Sequence, residues 1–239
     1  MIELRDALVT AWTPDPAGGP DTVTRLLGPV SSTLTERRVA VVGANGSGKS
    51  TLARLLNGLV LPAAGSVHVD GLDTRRDGPA VRRRVGFVFT DPDAQLVMPT
   101  PVEDVALSLR RTVPDADERE RRARAALARV GLADRADLPV HALSGGQRQL
   151  LALTSVLASA PEVLVCDEPT TLLDLRWRTV VDDLLAALSQ QVVVVTHDLD
   201  VALRADRVLV VDDGRVVHDG DPHEAVAAYR ALMTTGARG

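Results

Sequence analysis

The stretch Arg38-Val39-Ala40-Val41-Val42-Gly43-Ala44-Asn45-Gly46-Ser47-Gly48-Lys49-Ser50-Thr51 decides how the whole chain is read. Its first five residues form an apolar run of the kind found in a buried parallel strand. Its middle fits the spacing G-x-x-x-x-G-K-[ST], and the residues from Ser50 to Leu61 carry Leu52, Leu55, Leu56 and Leu59 at helical spacing. Strand, glycine-rich loop and helix are the context this motif requires. The glycines let consecutive backbone N–H groups turn inward around phosphates, and the helix N-terminus adds the positive end of its dipole. Gly43, Asn45, Gly46, Ser47, Gly48 and Thr51 complete that cradle; Lys49 would reach the β/γ-phosphates and the Ser50 hydroxyl would ligate Mg²⁺.

Composition singles out the same place. The chain has 27 basic residues, and Lys49 is the one lysine among them. Arginine replaces lysine wherever any surface cation suffices, but not where a compact, flexible ammonium is needed. The other proportions, 239 residues with 45% hydrophobic and 25% charged side chains, are those of a globular protein large enough to bury a substantial core. They exclude a disordered, collagen-like or disulfide-scaffold chain. A net charge of −5 argues against a protein that lives on nucleic acid, whose phosphates call for a basic face. The lone Cys166 cannot form an intramolecular disulfide and reads as a small core residue. No basic-then-apolar leader opens the sequence, and the longest weakly polar stretch, Leu150 to Val165, is broken by Pro161 and Glu162. The expectation is a cytoplasmic chain, soluble on its own.

Two further apolar runs end in polar side chains. Val163-Leu164-Val165-Cys166 delivers Asp167 and Glu168, as a buried strand would at the edge where parallel sheets bind ligands. Neighbouring strand residues face opposite ways, so the two carboxylates have different tasks. Asp167 suits a direct or water-mediated Mg²⁺ contact, and Glu168 suits polarising the attacking water. Val192-Val193-Val194-Val195-Thr196 likewise delivers His197, which can point at a γ-phosphate if its strand joins the same sheet.

Leu143-Ser144-Gly145-Gly146-Gln147 stands before an amphipathic-to-buried helix, Arg148 to Ala160. A serine there caps a helix well. Two glycines cost helix stability unless something must approach the backbone closely, so the segment also reads as a second anion site.

With these pieces in order, the chain resembles the ATP-binding cassette (ABC) ATPases over nearly its whole length. The phosphate loop, the signature Ser144, Gly145, Gly146 and Gln147, the Asp167–Glu168 strand, Asp174 of the D-loop and the switch residue His197 follow the family order. The resemblance implies an α/β fold, a phosphate-loop NTPase (RecA-like) core. Its sheet is mainly parallel, with an N-terminal antiparallel β region and an inserted helical subdomain. The expected division is 1–90 and 160–239 for the core and 91–159 for the subdomain. It implies ATP hydrolysis by two subunits packed head to tail, the signature of one capping the γ-phosphate on the other. The aromatic that stacks on adenine corresponds to Trp12, and Pro14–Pro20 after it reads as a turn between edge strands.

Phe87-Val88-Phe89-Thr90-Asp91-Pro92-Asp93-Ala94-Gln95-Leu96, followed by Pro99-Thr100-Pro101-Val102-Glu103-Asp104-Val105-Ala106, looks like the energy-coupling-factor importers. Those bring vitamins such as biotin, or cobalt and nickel ions, into prokaryotic cells. The implied partners are a second ABC ATPase, identical or not, and integral membrane transport subunits. Nucleic acid is not among them. The implied location is peripheral, at the cytoplasmic face of the cell membrane. Two departures stand out. The Q-loop glutamine of the family is Thr90, with Gln95 matching a different position, and the D-loop carries Leu172 and Leu173 where small residues are commoner. The alternative is a soluble, non-transport ABC ATPase, which usually carries coiled-coil insertions or tandem cassettes; a kinase or GTPase would lack the signature.

Overall fold

The computed structural model describes residues 1–13 and 22–236. Strands β1 (Ile2–Thr13), β2 (Thr22–Leu34) and β3 (Arg38–Val42) lead to helix α1 (Lys49–Leu56). Next come β4 (Ala64–Val69), β5 (Leu72–Asp73), α2 (Gly78–Arg84) and β6 (Val85–Val88). Helices α3 (Pro101–Leu109), α4 (Ala116–Arg129) and α5 (Gly145–Ala158) precede β7 (Val163–Asp167) and α6 (Leu175–Ala187). The order closes with β8 (Gln191–Val195), α7 (Leu199–Leu203), β9 (Arg207–Asp212), β10 (Arg215–Gly220) and α8 (Pro222–Gly236). By packing, Met1–Val85 and Gln191–Gly239 form one unit and Gly86–Gln190 a second, inserted within it.

The first unit contains two sheets. One is antiparallel, in the order β2-β1-β4-β5, with Ile2 opposite Leu34 at one end of the long β1–β2 pair and Trp12 opposite Val23 one residue short of the other. The turn read at Pro14–Pro20 lies outside the described residues. The other sheet brings β10, β9, β3 and β8 side by side. Strand β3 runs parallel to both β8 and β9, with Val41 opposite Val195 and Val42 opposite Val210. Residues Val39 to Val42 are buried, as a strand covered on both faces must be. The chain therefore leaves β3 and β8 at the same, C-terminal edge, and those exits are the glycine loop and His197. The backbone N–H of Thr196 still donates to the Val41 carbonyl at 3.0 Å, which carries the ladder up to that exit.

Helix α1 is shorter than its leucine spacing predicts. It ends at Leu56, where Gly58 takes a positive φ of 70° and its N–H donates to the Leu55 carbonyl. That left-handed C-terminal turn swings the chain away, so Leu52, Leu55 and Leu56 are buried while Leu59 is exposed.

The second unit joins strands β6 and β7, neighbours in one sheet, to the helices α3–α6. Residues 160–190 pack with the helices of 91–159 in this grouping. Helix α3 starts on a capping box, Thr100 with Glu103, and Pro101 occupies its first turn. Its Asp104 is buried and accepts hydrogen bonds from Ser155 Oγ on α5 (2.8 Å) and from the N–H groups of Val97 (2.9 Å) and Met98 (3.1 Å). A buried carboxylate is tolerable only with partners of this kind. Helix α4 buries just Ala123 and Leu127 and pairs Glu118 with Arg122 and Glu120 with Arg124 along its solvated face.

Candidate functional site

The sequence-read residues fall into two groups, one in each unit. The first is the phosphate loop between β3 and α1. Gly48 sits at the helix N-cap with φ 108°, a conformation that L side chains rarely adopt. A Cβ there would also come within 2.9 Å of the Leu26 carbonyl oxygen on β2. At the loop's start, a Cβ on Gly43 would meet the Val211 carbonyl oxygen at 2.1 Å, so both ends of the loop are pressed against neighbouring backbone. No side chain caps α1, and its first turn carries no acidic residue. The N-terminus thus keeps its positive dipole end for an anion.

Lys49 is 5% exposed and its Nζ donates to the Ala44 carbonyl at 2.8 Å, folding the ammonium back over the loop. Ser47 is also buried, and its hydroxyl has no hydrogen-bond partner among the described residues. Such an orphaned polar atom costs free energy unless something supplies a partner. Lys49, Ser50, Thr51, Gly46 and Gly48 line a cleft of about 350 Å³. Asn45 is exposed on the loop. Trp12 is 71% exposed on β1 and lies outside that lining. His197 is exposed at the end of β8, in this same unit.

The second group contains the carboxylates and the signature. Strand β7 is buried throughout and ends on Asp167, which is 2% exposed. Glu168 follows with φ 50°, the left-handed region, so the chain turns sharply away from the strand at this residue. Its Oε2 accepts a hydrogen bond from Thr171 Oγ1 at 2.7 Å. A carboxylate held this way at a strained strand end is placed rather than free to wander. Cys166 is wholly buried, and burial together with the neighbouring Asp167 pushes its thiol far above its ordinary value. It is a core side chain and not a nucleophile.

Thr90, at the Q-loop position, donates its hydroxyl to the Asp167 carbonyl oxygen at 2.7 Å. The shorter side chain is therefore tied to the backbone of the carboxylate-bearing strand. Gln95 turns back onto the same segment. Its Oε1 accepts from the Phe89 N–H at 3.3 Å and its Nε2 donates to the Ala152 carbonyl at 3.4 Å. Gln149, buried on α5, donates to the Phe89 carbonyl at 3.4 Å. Sequence reasoning passed over Gln149; its polar side chain at a buried helix position was the available signal.

At the signature, Ser144 and Gln147 form a capping box. Ser144 Oγ accepts from the Gln147 N–H at 3.3 Å, and Gln147 Oε1 accepts from the Ser144 N–H at 2.9 Å. The two glycines have different reasons. A Cβ on Gly146 would sit 2.2 Å from Trp177 Cγ, so the indole lies directly on the helix backbone. Gly145 has open space around it and lines a second cleft, of about 270 Å³, with Thr90, Arg148, Pro169 and Leu172. Asp174 caps α6, accepting from the Trp177 N–H at 3.0 Å. Leu172 of the D-loop is 67% exposed, and Leu175 just after it is 81% exposed.

A parallel sheet with a glycine loop at its C-terminal edge, an open helix N-terminus and a buried lysine defines a nucleotide-binding phosphate-loop protein. The ABC transporter family pattern matches residues 27–171, and the chain belongs to that family. It is 53% identical over 209 residues to a putative ABC transporter ATP-binding protein of Deinococcus radiodurans, covering 87% of this chain and 92% of that one. It is 43% identical to the biotin transport ATP-binding protein BioM of Rhizobium etli, over 86% of this chain and 92% of the relative. Identity is also 43% to the energy-coupling factor transporter ATP-binding protein EcfA1 of Lactiplantibacillus plantarum, over 83% and 72%. Among solved structures, CbiO1 from Clostridium perfringens, described as part of the ABC transporter complex cbiONQ, superposes with a TM-score of 0.78. It is 29% identical, with 99% of this chain and 94% of that one covered. The chain is an ABC ATPase, an ATP-hydrolysing transporter subunit close to the biotin and energy-coupling-factor ATPases.

Proposed function

We propose that this chain energises an energy-coupling-factor importer for a vitamin of the biotin type or for cobalt or nickel, working as a head-to-tail dimer around two MgATP. The observation that carries ATP binding is the sole lysine, buried at the mouth of the cleft beside an uncapped helix N-terminus. The importer branch is supported by the Asp91–Gln95 segment and by the identity to BioM and EcfA1.

In this reading the N–H groups of Gly46 and Gly48 and the Lys49 ammonium hold the β- and γ-phosphates, with Gly43, Asn45 and Ser47, whose N–H donates to the Ala44 carbonyl at 3.1 Å, shaping the loop. Trp12 stacks on adenine. The donor set offered to a metal, the Ser50 hydroxyl and the Asp167 carboxylate, is all oxygen, which fits Mg²⁺ and not a soft metal. Bound there, Mg²⁺ would supply charge neutralisation at the phosphates. Glu168, restrained by Thr171, orients and polarises the attacking water, and His197 contacts the γ-phosphate. Ser144, Gly145, Gly146 and Gln147 serve the ATP of the opposite subunit, and Asp174 lies at the junction of the two.

No helix among the described residues is long and apolar enough to cross a membrane, so attachment to the cytoplasmic face falls to membrane subunits. The test is affinity purification of the tagged chain from its own cells, followed by uptake of labelled biotin, Co²⁺ and Ni²⁺ into vesicles holding the recovered complex. Co-purifying membrane proteins and ATP-dependent uptake of one of these are the expected results. Recovery of the chain without any membrane protein would favour a soluble, non-transport ABC ATPase.

A further inference from the structure

The cleft at the phosphate loop has a second cation that the sequence motif does not include. Arg25, on β2, lines it together with Lys49, Asp213 and Gly214. Its position is fixed by a three-way backbone junction. The Gly214 N–H donates to the Ser47 carbonyl at 2.8 Å, and the Gly28 N–H donates to the Gly214 carbonyl at 2.6 Å. The turn between β9 and β10 is thereby wedged between the phosphate loop and β2, and Leu26 lies against Gly48. Arg25 cannot drift far from the loop.

Its hydrogen bonding is incomplete. Nη2 donates to the Asp213 carbonyl at 3.2 Å and to Asp213 Oδ2 at 3.4 Å, both long for a guanidinium–oxygen contact. Nε is buried and has no hydrogen-bond partner among the described residues. Asp213, which holds it, has a side chain 93% exposed, so the pair is a loose one. A guanidinium can only donate, so an acceptor that enters the cleft would find donors on it.

We propose that Arg25 is a binding residue for the nucleotide, and that its guanidinium donates to polyphosphate oxygens of ATP and exchanges its long contacts with Asp213 for them. The proposal rests on the reading of the Lys49 loop as the ATP site. Arginine suits the task because its planar fork matches phosphate geometry, whereas Lys49 acts as a point charge. Asp213 then works against binding, since its carboxylate competes for the same donor.

The test is equilibrium titration of the full chain and its variants with MgATP and, separately, with inorganic tripolyphosphate. Arg25→Gln should weaken both by about tenfold, the scale of one charge-assisted hydrogen bond. Asp213→Asn, a side chain that tolerates the positive φ of 42° at that turn, should tighten both by about two- to threefold as the competing charge is removed. Unchanged affinities in Arg25→Gln would overturn the proposal. So would a loss confined to MgATP, which would put Arg25 on the nucleoside, or weaker binding in Asp213→Asn, which would make the pair a brace for the turn. Lys49→Ala separates the two levels. If it loses MgATP while Arg25→Gln does not, the Arg25 role alone fails. If Lys49→Ala binds MgATP as the unsubstituted chain does, the site reading itself fails, and the Arg25 role with it.

Discussion

Helices α1 and α5 both begin at glycine-bearing segments, and their N-termini are built in opposite ways. That of α1 has Gly48 at the cap, no acidic residue in its first turn and a buried lysine. That of α5 closes on itself through the reciprocal bonds of Ser144 and Gln147. Both helices have the same dipole and the same first-turn N–H groups, so position at a helix start cannot by itself distinguish a phosphate site from a stable end. The difference lies in who uses the donors. At α1 no capping side chain takes them among the described residues. At α5 the sequence takes two of them for its own stability, leaving the N–H groups of Gly145 and Gly146 outside the box. An anion approaching α5 therefore meets a preformed cap, and the glycines, not the serine alone, are the groups with donors to offer.

The largest effects should separate the binding half of this comparison from the chemical half. Glu168→Gln is expected to cut ATP turnover by about 10²–10⁴-fold, the range for removing a base or water-orienting carboxylate, while MgATP affinity stays put. Lys49→Arg should do the reverse in kind, weakening MgATP by about tenfold or more, because a rigid guanidinium cannot fold back over the loop as the ammonium does. Steady-state turnover and a binding titration on both proteins check this. Turnover at the unsubstituted rate in Glu168→Gln would remove that carboxylate from the mechanism.

Much of the molecule that these variants probe is legible in the chain itself, and the exceptions have physical causes. The strands carrying the site announce themselves as apolar runs ending in Gly43, Asp167 and Thr196, since a parallel sheet buries both faces. The serine cap of α5 is legible too, because it acts over three residues; the return bond from Gln147 is added by the structure. What sequence could not show are contacts between segments far apart in the chain. The indole of Trp177 on Gly146 and the wedge of Gly214 between β2 and the phosphate loop depend on how elements pack. Arg25 was passed over for that reason, being one arginine among many on a polar stretch. The overestimated length of α1 has a local cause, as the leucine spacing continued past a glycine that ends the helix.

A middle-sized effect is expected at Gly146. Ala there would put a methyl carbon inside the contact distance of Trp177, so the indole or the helix must shift. Overpacking of this kind costs about 1–3 kcal/mol, and thermal melts should register it. An Ala variant as stable as the parent would mean that Trp177 swings aside freely and that the second glycine has a different reason. Gly145→Ala, which meets open space, is the control and should cost no more than a normal helix substitution gains or loses.

The smallest effect tests the capped end itself. If Ser144 is held by its box as the structure shows, Ser144→Ala should cost about 1 kcal/mol, the usual loss on removing a serine N-cap. For a chain of this size that lowers the melting temperature by about 2–4 °C. Ser144→Asn should leave it within a few tenths of a kcal/mol of the parent, since asparagine caps as well as serine. The pair becomes informative when turnover is measured on the same samples. A cap that merely stabilises α5 predicts that Asn restores turnover along with stability. A serine that also presents its hydroxyl to a γ-phosphate predicts stability without turnover in the Asn protein, because the amide is larger than the hydroxyl it replaces and occupies the space next to Gly145. A serine that touches the ATP of the opposite subunit in the proposed head-to-tail dimer needs the second outcome. Recovery of turnover with Asn would leave the two glycine N–H groups as the whole of what α5 offers to the ATP of the opposite subunit.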